Sequence, residues 1–313
     1  MPNPYKKLHS LPMLEFLLFA LLHHGSSDFL EKSAPVPSPA LEAIRPVSLP
    51  TRKATSIAPL LMQDERTAVL ATDLDSGKTL LRQNEDRAQP IASLSKIMTA
   101  LVILENHDLG EVVVVPLAAT EAAGSQIEIY EKEALTVETL LEATLIASAN
   151  DAAVALAIFD AGSEEAFAEK MTAQAQALGL DSAKFYNATG LDLVDENDTP
   201  YGNEMSARDL LKLTRIALQD PFFRATVQKQ NFDGTSIDEN FFHEKESTNQ
   251  LFDTFLKLKG VKTGFTYLAG QCFVALGESP EGKEVLTIIL GSADRFGETK
   301  KLLSWIYDSF EWQ

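Results

Sequence analysis

The sequence predicts an α+β fold, an antiparallel sheet made by strands near both ends of the chain with a helical lobe inserted between them. Three observations carry this. β-like runs cluster between residues 67 and 81 and from residue 260 to 290; helical periodicity fills most of the interval; and no internal repeat is present. At 313 residues the chain is long enough to bury a large core. Its 45% hydrophobic and 23% charged residues are ordinary for a globular protein. The net charge of −18 argues against nucleic acid as a partner, since that role needs clustered basic residues. A single cysteine, Cys272, excludes an intrachain disulfide and a zinc site built on several thiolates. Its apolar neighbours Phe273 and Val274 read it as a buried structural thiol.

Lys6 and Lys7 precede the apolar run 11–22, and Gly25, Ser26 and Ser27 follow. This is the order of a secretory signal, although Glu15 interrupts the run and no Ala-x-Ala site follows; the other reading is an amphipathic N-terminal helix. The run is short for a membrane span. Residues 1–27 are therefore expected to be a signal-like or membrane-anchor segment. Residues 28–60, rich in proline, are expected to be a semi-extended linker, and residues 61–313 the folded domain.

Thr67–Asp73 reads as a strand, Asp75-Ser76-Gly77 as a turn and Lys78–Leu81 as the returning strand. A helix is predicted from the Ser93 region to about Leu104, with Ile97, Ala100, Leu101 and Leu104 as its apolar stripe. Val112–Val115 is a short β-prone run. Thr136 is placed to cap a helix through Leu145, and a second helical run covers Asp151–Phe159 after a break. Gly162-Ser163 opens another, with Gly179 at its end. Ser206 and Asp209 resemble a capping box. Strands follow at Gly260–Gly264, Gln271–Leu276 and Val285–Leu290, the last two joined by a turn at 279–282, and a helix from about Glu298 to Ser309 closes the chain.

The chemistry-bearing residues lie at three separated places. Ser93 and Lys96 stand three apart, on one helical face, so a hydroxyl and an amine meet at a helix start. A desolvated lysine can take a serine's proton. Ser148 and Asn150 lie at a helix break. Lys262, Thr263 and Gly264 lie on a strand, with Lys262 and Gly264 on one face and Thr263 on the other. Each pattern alone is weak: a Ser-x-x-Lys arises by chance about once in a few hundred residues. Ser-x-Asn is usually a cap or turn, and Lys-Thr-Gly is often an edge strand. His107 and His243 have no motif context and read as surface or loop residues.

Together, and in this order, Ser93-x-x-Lys96, Ser148-x-Asn150 and Lys262-Thr263-Gly264 resemble the motif set of the serine penicillin-recognising enzymes. With Asn187–Leu191, Ser247–Leu251 and Phe265-Thr266 around them, the stretch from about 60 to 310 resembles the D-alanyl-D-alanine carboxypeptidases among low-molecular-mass penicillin-binding proteins. The resemblance implies a β-lactamase/transpeptidase-like fold and an exported enzyme of the cell envelope, periplasmic or at the outer face of the cytoplasmic membrane. It implies a peptidoglycan stem peptide ending in D-Ala-D-Ala as substrate, β-lactam antibiotics as inhibitors, and neither metal nor cofactor.

It also implies roles. Ser93 is the nucleophile, Lys96 its base, and Ser148 a proton relay to the leaving amine. Asn150 orients Lys96 and the substrate, while Lys262 and Thr263 bind the terminal carboxylate, the charge of Lys262 helping to depress the Lys96 pKa. Gly264 allows close approach, and the backbone N–H groups of Ser93 and Phe265 form an oxyanion hole. Three alternatives remain open: a D,D-endopeptidase, a β-lactamase-like hydrolase, and a non-catalytic peptidoglycan- or penicillin-binding module. Two departures are noted. The acidic stretch Asp192–Glu204 is longer than in many relatives and reads as a solvated loop rather than a lid. The C-terminal β domain and amphipathic anchor of many relatives are not expected, which leaves the N-terminus for any membrane contact.

Overall fold

A computed structural model describes residues 48–54, 65–252, 254 and 256–312. Strands β1 (Ala68–Asp73) and β2 (Thr79–Gln83) come from the start of the domain. Strands β3 (Leu258–Thr266), β4 (Gly270–Glu278) and β5 (Glu284–Ser292) come from its end. They form one antiparallel sheet in the order β3-β4-β5-β1-β2. The predicted α+β architecture is the one found.

Side chains alternate across a strand, and here both faces are buried. On one face Ala68, Leu70, Val274, Leu276, Leu286 and Ile288 join the core of the helical lobe. On the other, Val69, Ala71, Phe273, Ala275 and Ile289 pack against Leu302, Leu303 and Ile306 of the last helix. That helix spans Arg295–Ser309, beginning earlier than the periodicity suggested because Asp294 accepts the Gly297 N–H as its cap.

The helical lobe holds α1 (Lys96–Asn106) and α2 (Asn150–Ala161) side by side. α1 does not start at Ser93: residues Ala92–Ser95 form a 3-10 turn leading into it. Thr136 caps helix Val137–Glu142 by accepting the Thr139 N–H. That helix passes into a π-turn, Ala143–Ala147, which ends at Ser148 in the left-handed region with φ of 60°. Ser206 caps helix Ala207–Ala217, but the Asp209 carboxylate turns to the N–H and hydroxyl of Ser182, so only half of the expected capping box forms.

Residues 50–52, inside the stretch expected to be a linker, form a strand that pairs with Phe310–Trp312. The rest of the linker up to residue 47, residues 55–64, and the signal-like segment lie outside the described residues. The acidic stretch is a small exposed hairpin, Leu193–Val194 against Pro200–Tyr201. Asp195 closes it by accepting the N–H groups of Asn197 and Thr199. His243 is not a surface residue. It is 6% exposed, with Nδ1 2.9 Å from the Ile127 carbonyl and Nε2 2.7 Å from Glu133. His107 is likewise half-buried between Glu111 and Asp160.

Candidate active site

In a 3-10 turn, side chains three apart eclipse one another, and this turn carries Ser93 directly over Lys96. Ala92, the first residue of the turn, holds φ at 50°, a conformation unusual for a residue with a side chain. Ser93 remains partly exposed whereas Lys96 is fully buried. The Lys96 amine has three neighbours. It reaches Ser93 Oγ at 3.1 Å, Asn150 Oδ1 at 2.6 Å and the Thr189 carbonyl at 2.7 Å. Burial pulls its pKa from 10.5 down to about 7, with Glu164 and Asp151 opposing.

Each of those neighbours is itself held. Asn150 opens α2 and donates its amide to the Ala123 carbonyl at 2.6 Å, which fixes Oδ1 toward Lys96. A Cβ on Gly124 would lie 2.8 Å from that amide nitrogen, so glycine lets the loop close there. The Thr189 carbonyl belongs to a turn gathered by Asn187, whose Oδ1 accepts the N–H groups of Thr189 and Gly190. Gly190, with φ of 83°, presses on the Ser93 turn so closely that a Cβ would sit 2.0 Å from the Ala92 carbonyl oxygen. Ser148 is buried at the π-turn's end, two residues before Asn150.

The opposite wall is β3. A Cβ on Gly264 would lie 3.1 Å from each of Ile91 O, Ala92 Cβ and Ser93 N, so the bare glycine lets the strand run against the Ser93 turn. Lys262, 2% exposed, donates to the Thr263 carbonyl at 3.0 Å. Thr263 faces away from it and meets Thr248, hydroxyl to hydroxyl, at 2.6 Å. Phe265 is half-exposed at the rim, edge-on to Tyr267.

Burial is the main cause of the lowered pKa at both amines, and the neighbouring charges of Lys96 and Arg295 add to it at Lys262.

Sequence comparison matches residues 54–294 to the D-alanyl-D-alanine carboxypeptidase family. The chain belongs to that family. D-alanyl-D-alanine carboxypeptidase DacF of Bacillus subtilis is 32% identical over 258 residues, covering 80% of this chain and 64% of that protein. A D-alanyl-D-alanine endopeptidase of Pseudomonas aeruginosa is 30% identical over 254 residues, 79% of each chain. Among solved structures, the ampicillin-bound penicillin-binding protein D2 of Listeria monocytogenes superposes with a TM-score of 0.63 at 33% identity, covering 77% of this chain and 96% of that one.

In this family member several residues that carry no motif complete the site. Arg295, at the start of the last helix, donates to the Gly264 carbonyl at 2.7 Å and so holds β3 from behind. Glu164 accepts the Ala188 N–H at 3.0 Å, bracing the turn that offers the Thr189 carbonyl, and burial raises its pKa. Asp151, its pKa also raised by burial, gathers the N–H groups of Ile127, Glu128 and Ile129 and so fixes the loop beside Asn150. Cys272 is buried and its thiol is pushed up to about 11, which leaves no thiolate at neutral pH.

Proposed function

We propose that this chain is a serine D,D-carboxypeptidase that removes the terminal D-alanine from peptidoglycan stem peptides through an acyl-enzyme on Ser93. The observation that carries the reading is the three-way cradle of Lys96. A neutral amine has two N–H donors and one lone pair. Asn150 Oδ1 and the Thr189 carbonyl can only accept, so they take both N–H groups. The lone pair is left for the Ser93 hydroxyl. With its pKa near 7, Lys96 holds that lone pair free in a large fraction of molecules at neutral pH.

Ser93 Oγ then attacks the carbonyl between the two D-alanines while Lys96 takes its proton. The negative oxygen of the tetrahedral intermediate lies against the N–H groups of Ser93 and Phe265; such donors are worth about 3 kcal/mol each. Ser148 passes a proton to the departing D-alanine amine, the C–N bond breaks, and water later attacks the acyl ester with Lys96 again as base. Lys262 and Thr263 receive the terminal carboxylate. Burial and the charges of Lys96 and Arg295 drive Lys262 toward its neutral form, and a carboxylate beside it would favour its proton. In a chain of net charge −18, this is the local positive charge an anionic substrate needs.

A β-lactam, which resembles the peptide in its strained amide and carboxylate, would acylate Ser93 in the same way. This substrate places the working enzyme in the cell envelope, with the N-terminal segment serving export or membrane contact. Among the described residues no helix is long and apolar enough to cross a membrane.

The test is direct. The protein is incubated with a fluorescent penicillin, with diacetyl-L-Lys-D-Ala-D-Ala, and with a D-Ala-cross-linked muropeptide dimer. A stable adduct absent in Ser93→Ala, with D-alanine released from the tripeptide, supports the proposal. Cleavage of the dimer in preference to the tripeptide would instead make it a D,D-endopeptidase, the reading that the Pseudomonas aeruginosa relative favours. An adduct without peptide turnover would make it a binding module, and rapid penicillin hydrolysis a β-lactamase.

A further inference from the structure

The cradle of Lys96 ends on the Thr189 carbonyl, and what fixes that carbonyl lies outside the three motifs. Ala188, the residue before it, is gripped at both of its backbone groups. Its N–H donates to Glu164 Oε1 at 3.0 Å, and its carbonyl accepts the Thr99 hydroxyl at 2.7 Å. Thr99 lies on α1, three residues after Lys96, so the helix that supplies the amine also holds the turn that receives it. Glu164 is the tie from elsewhere. It is the first residue of the helix Glu164–Ala177, whose start is fixed by the Ser163 hydroxyl accepting the Ala166 N–H.

This places a carboxylate one residue away from the carbonyl to which Lys96 donates. Three charged groups bear on the amine: Glu164, Asp151 of α2 and Lys262 of β3. Burial dominates at Lys96, and the two carboxylates oppose it by favouring the ammonium form. They are not equivalent. Asp151 accepts the N–H groups of Ile127, Glu128, Ile129 and Ala152, so it cannot be changed without releasing a loop. Glu164 holds the Ala188 N–H, with Glu165 beside it on the same helix. It is part-exposed and lines a cavity of about 530 Å³ with Asn187 and Thr189, so water moderates its field.

We propose that Glu164 is a positioning residue for the base: through the Ala188 N–H it holds the Thr189 carbonyl where Lys96 can donate to it, and its negative charge steadies the ammonium form. The proposal rests on the reading of Lys96 as the base for Ser93. The two effects act in opposite directions. The brace aims the amine lone pair at the Ser93 hydroxyl, whereas the charge restrains how many molecules have that lone pair free. Removing the charge alone should make more base available on the acid side. Removing charge and brace together should also spoil its aim.

Glu164→Gln removes the charge and keeps an oxygen for the Ala188 N–H, while Glu164→Ala removes both. Acylation of the full chain by a fluorescent penicillin is followed across the acid limb to its alkaline plateau. The carbon-13 resonance of Lys96 Cε, assigned by its loss in Lys96→Met, is titrated over the same range. In Glu164→Gln both midpoints should fall by about half a pH unit, which makes acylation on the acid limb about threefold faster. Glu164→Ala should share that fall and lose about tenfold in plateau rate, a loss that the Gln variant recovers. Glu165→Gln makes the same change of net charge from an exposed position and should leave both midpoints in place. A resonance that shifts while the acid limb stays would keep the hold of Glu164 on the amine and overturn Lys96 as the base. A Gln variant whose resonance titrates as in the wild type, or whose plateau is as low as that of the Ala variant, would overturn the proposal. Equal shifts in Glu164→Gln and Glu165→Gln would overturn it too, since net charge alone would then account for them.

Discussion

The two walls of the cleft each bury a lysine, and they do so in opposite ways. On the helical wall Lys96 meets three acceptors, and each is tied down in turn: Asn150 by Ala123, Thr189 by the Asn187 turn, Ser93 by the 3-10 turn. On the sheet wall Lys262 donates to the carbonyl of the next residue, with Lys96 and Arg295 close enough to depress its pKa. The first lysine is held in a finished network, and the second, proposed as the carboxylate receptor, has its charge opposed by its surroundings. A base has to stand in one place in one protonation state, whereas a carboxylate receptor gains by being unsatisfied when empty.

The sharpest way to break this contrast is Lys96→Met. If Lys96 is the base proposed for Ser93, acylation by a fluorescent penicillin should fall by roughly 10³-fold. The substitution also orphans two buried acceptors, Asn150 Oδ1 and the Thr189 carbonyl, so the melting temperature should drop as well. In the wild type the same lysine should set the acid limb of the rate profile. Below about pH 7 the ammonium form has no lone pair, and the acylation rate should fall about tenfold per pH unit. A profile flat from pH 8 to pH 5 would remove Lys96 from the role of base.

Lys262→Met should do the reverse to stability. It leaves one buried carbonyl unpaired but removes an amine whose pKa lies well below its ordinary 10.5 because it is buried. The sign follows from linkage. Between the folded and unfolded pKa values the unfolded lysine binds more protons, so wild-type stability rises with pH up to about 10.5 and carries the full cost of burial below that window. The variant should melt higher at pH 7 and lose part of that pH dependence, while KM for the D-Ala-D-Ala peptide rises about 10- to 100-fold. Measuring both properties on one preparation separates a carboxylate receptor from a merely structural lysine.

The same contrast explains what the sequence revealed. Ser93, Lys96 and Asn150 are legible because their geometry is local, fixed by a turn or by the first residue of a helix. Lys262 and Gly264 are legible because a strand alternates, and the strands themselves show as β-like runs at both ends of the chain. Long-range partners leave no such trace. Arg295 reaches Gly264 across 31 positions, Glu164 reaches Ala188 across 24, and His243 meets Glu133 across 110. No spacing rule links such pairs, which is why His243 reads from the sequence as a surface or loop residue and Arg295 carries no signal there. Pro50–Arg52 was hidden differently: a proline-rich stretch becomes a strand only because Phe310–Trp312 supplies its partner. Asp294 was within reach, since an aspartate just before an apolar stripe is a helix-start signal.

The smallest effect should come from the least-tied part of the sheet wall, the hydroxyl pair of Thr263 and Thr248. At 2.6 Å one of the two must donate to the other. If Thr248 donates, Thr263 still has its own proton for an incoming carboxylate. Thr263→Val keeps the shape and removes the hydroxyl, which should raise KM about fivefold through the loss of one modest hydrogen bond, with kcat nearly unchanged. Thr248→Val should have a weaker effect of the same kind, because it touches the substrate only through Thr263. The double variant should cost no more than Thr263→Val alone, since the second hydroxyl has nothing left to orient. Additive losses would mean that both threonines contact the carboxylate independently, and the sheet wall would then hold two receptors for the anion where the present geometry has one.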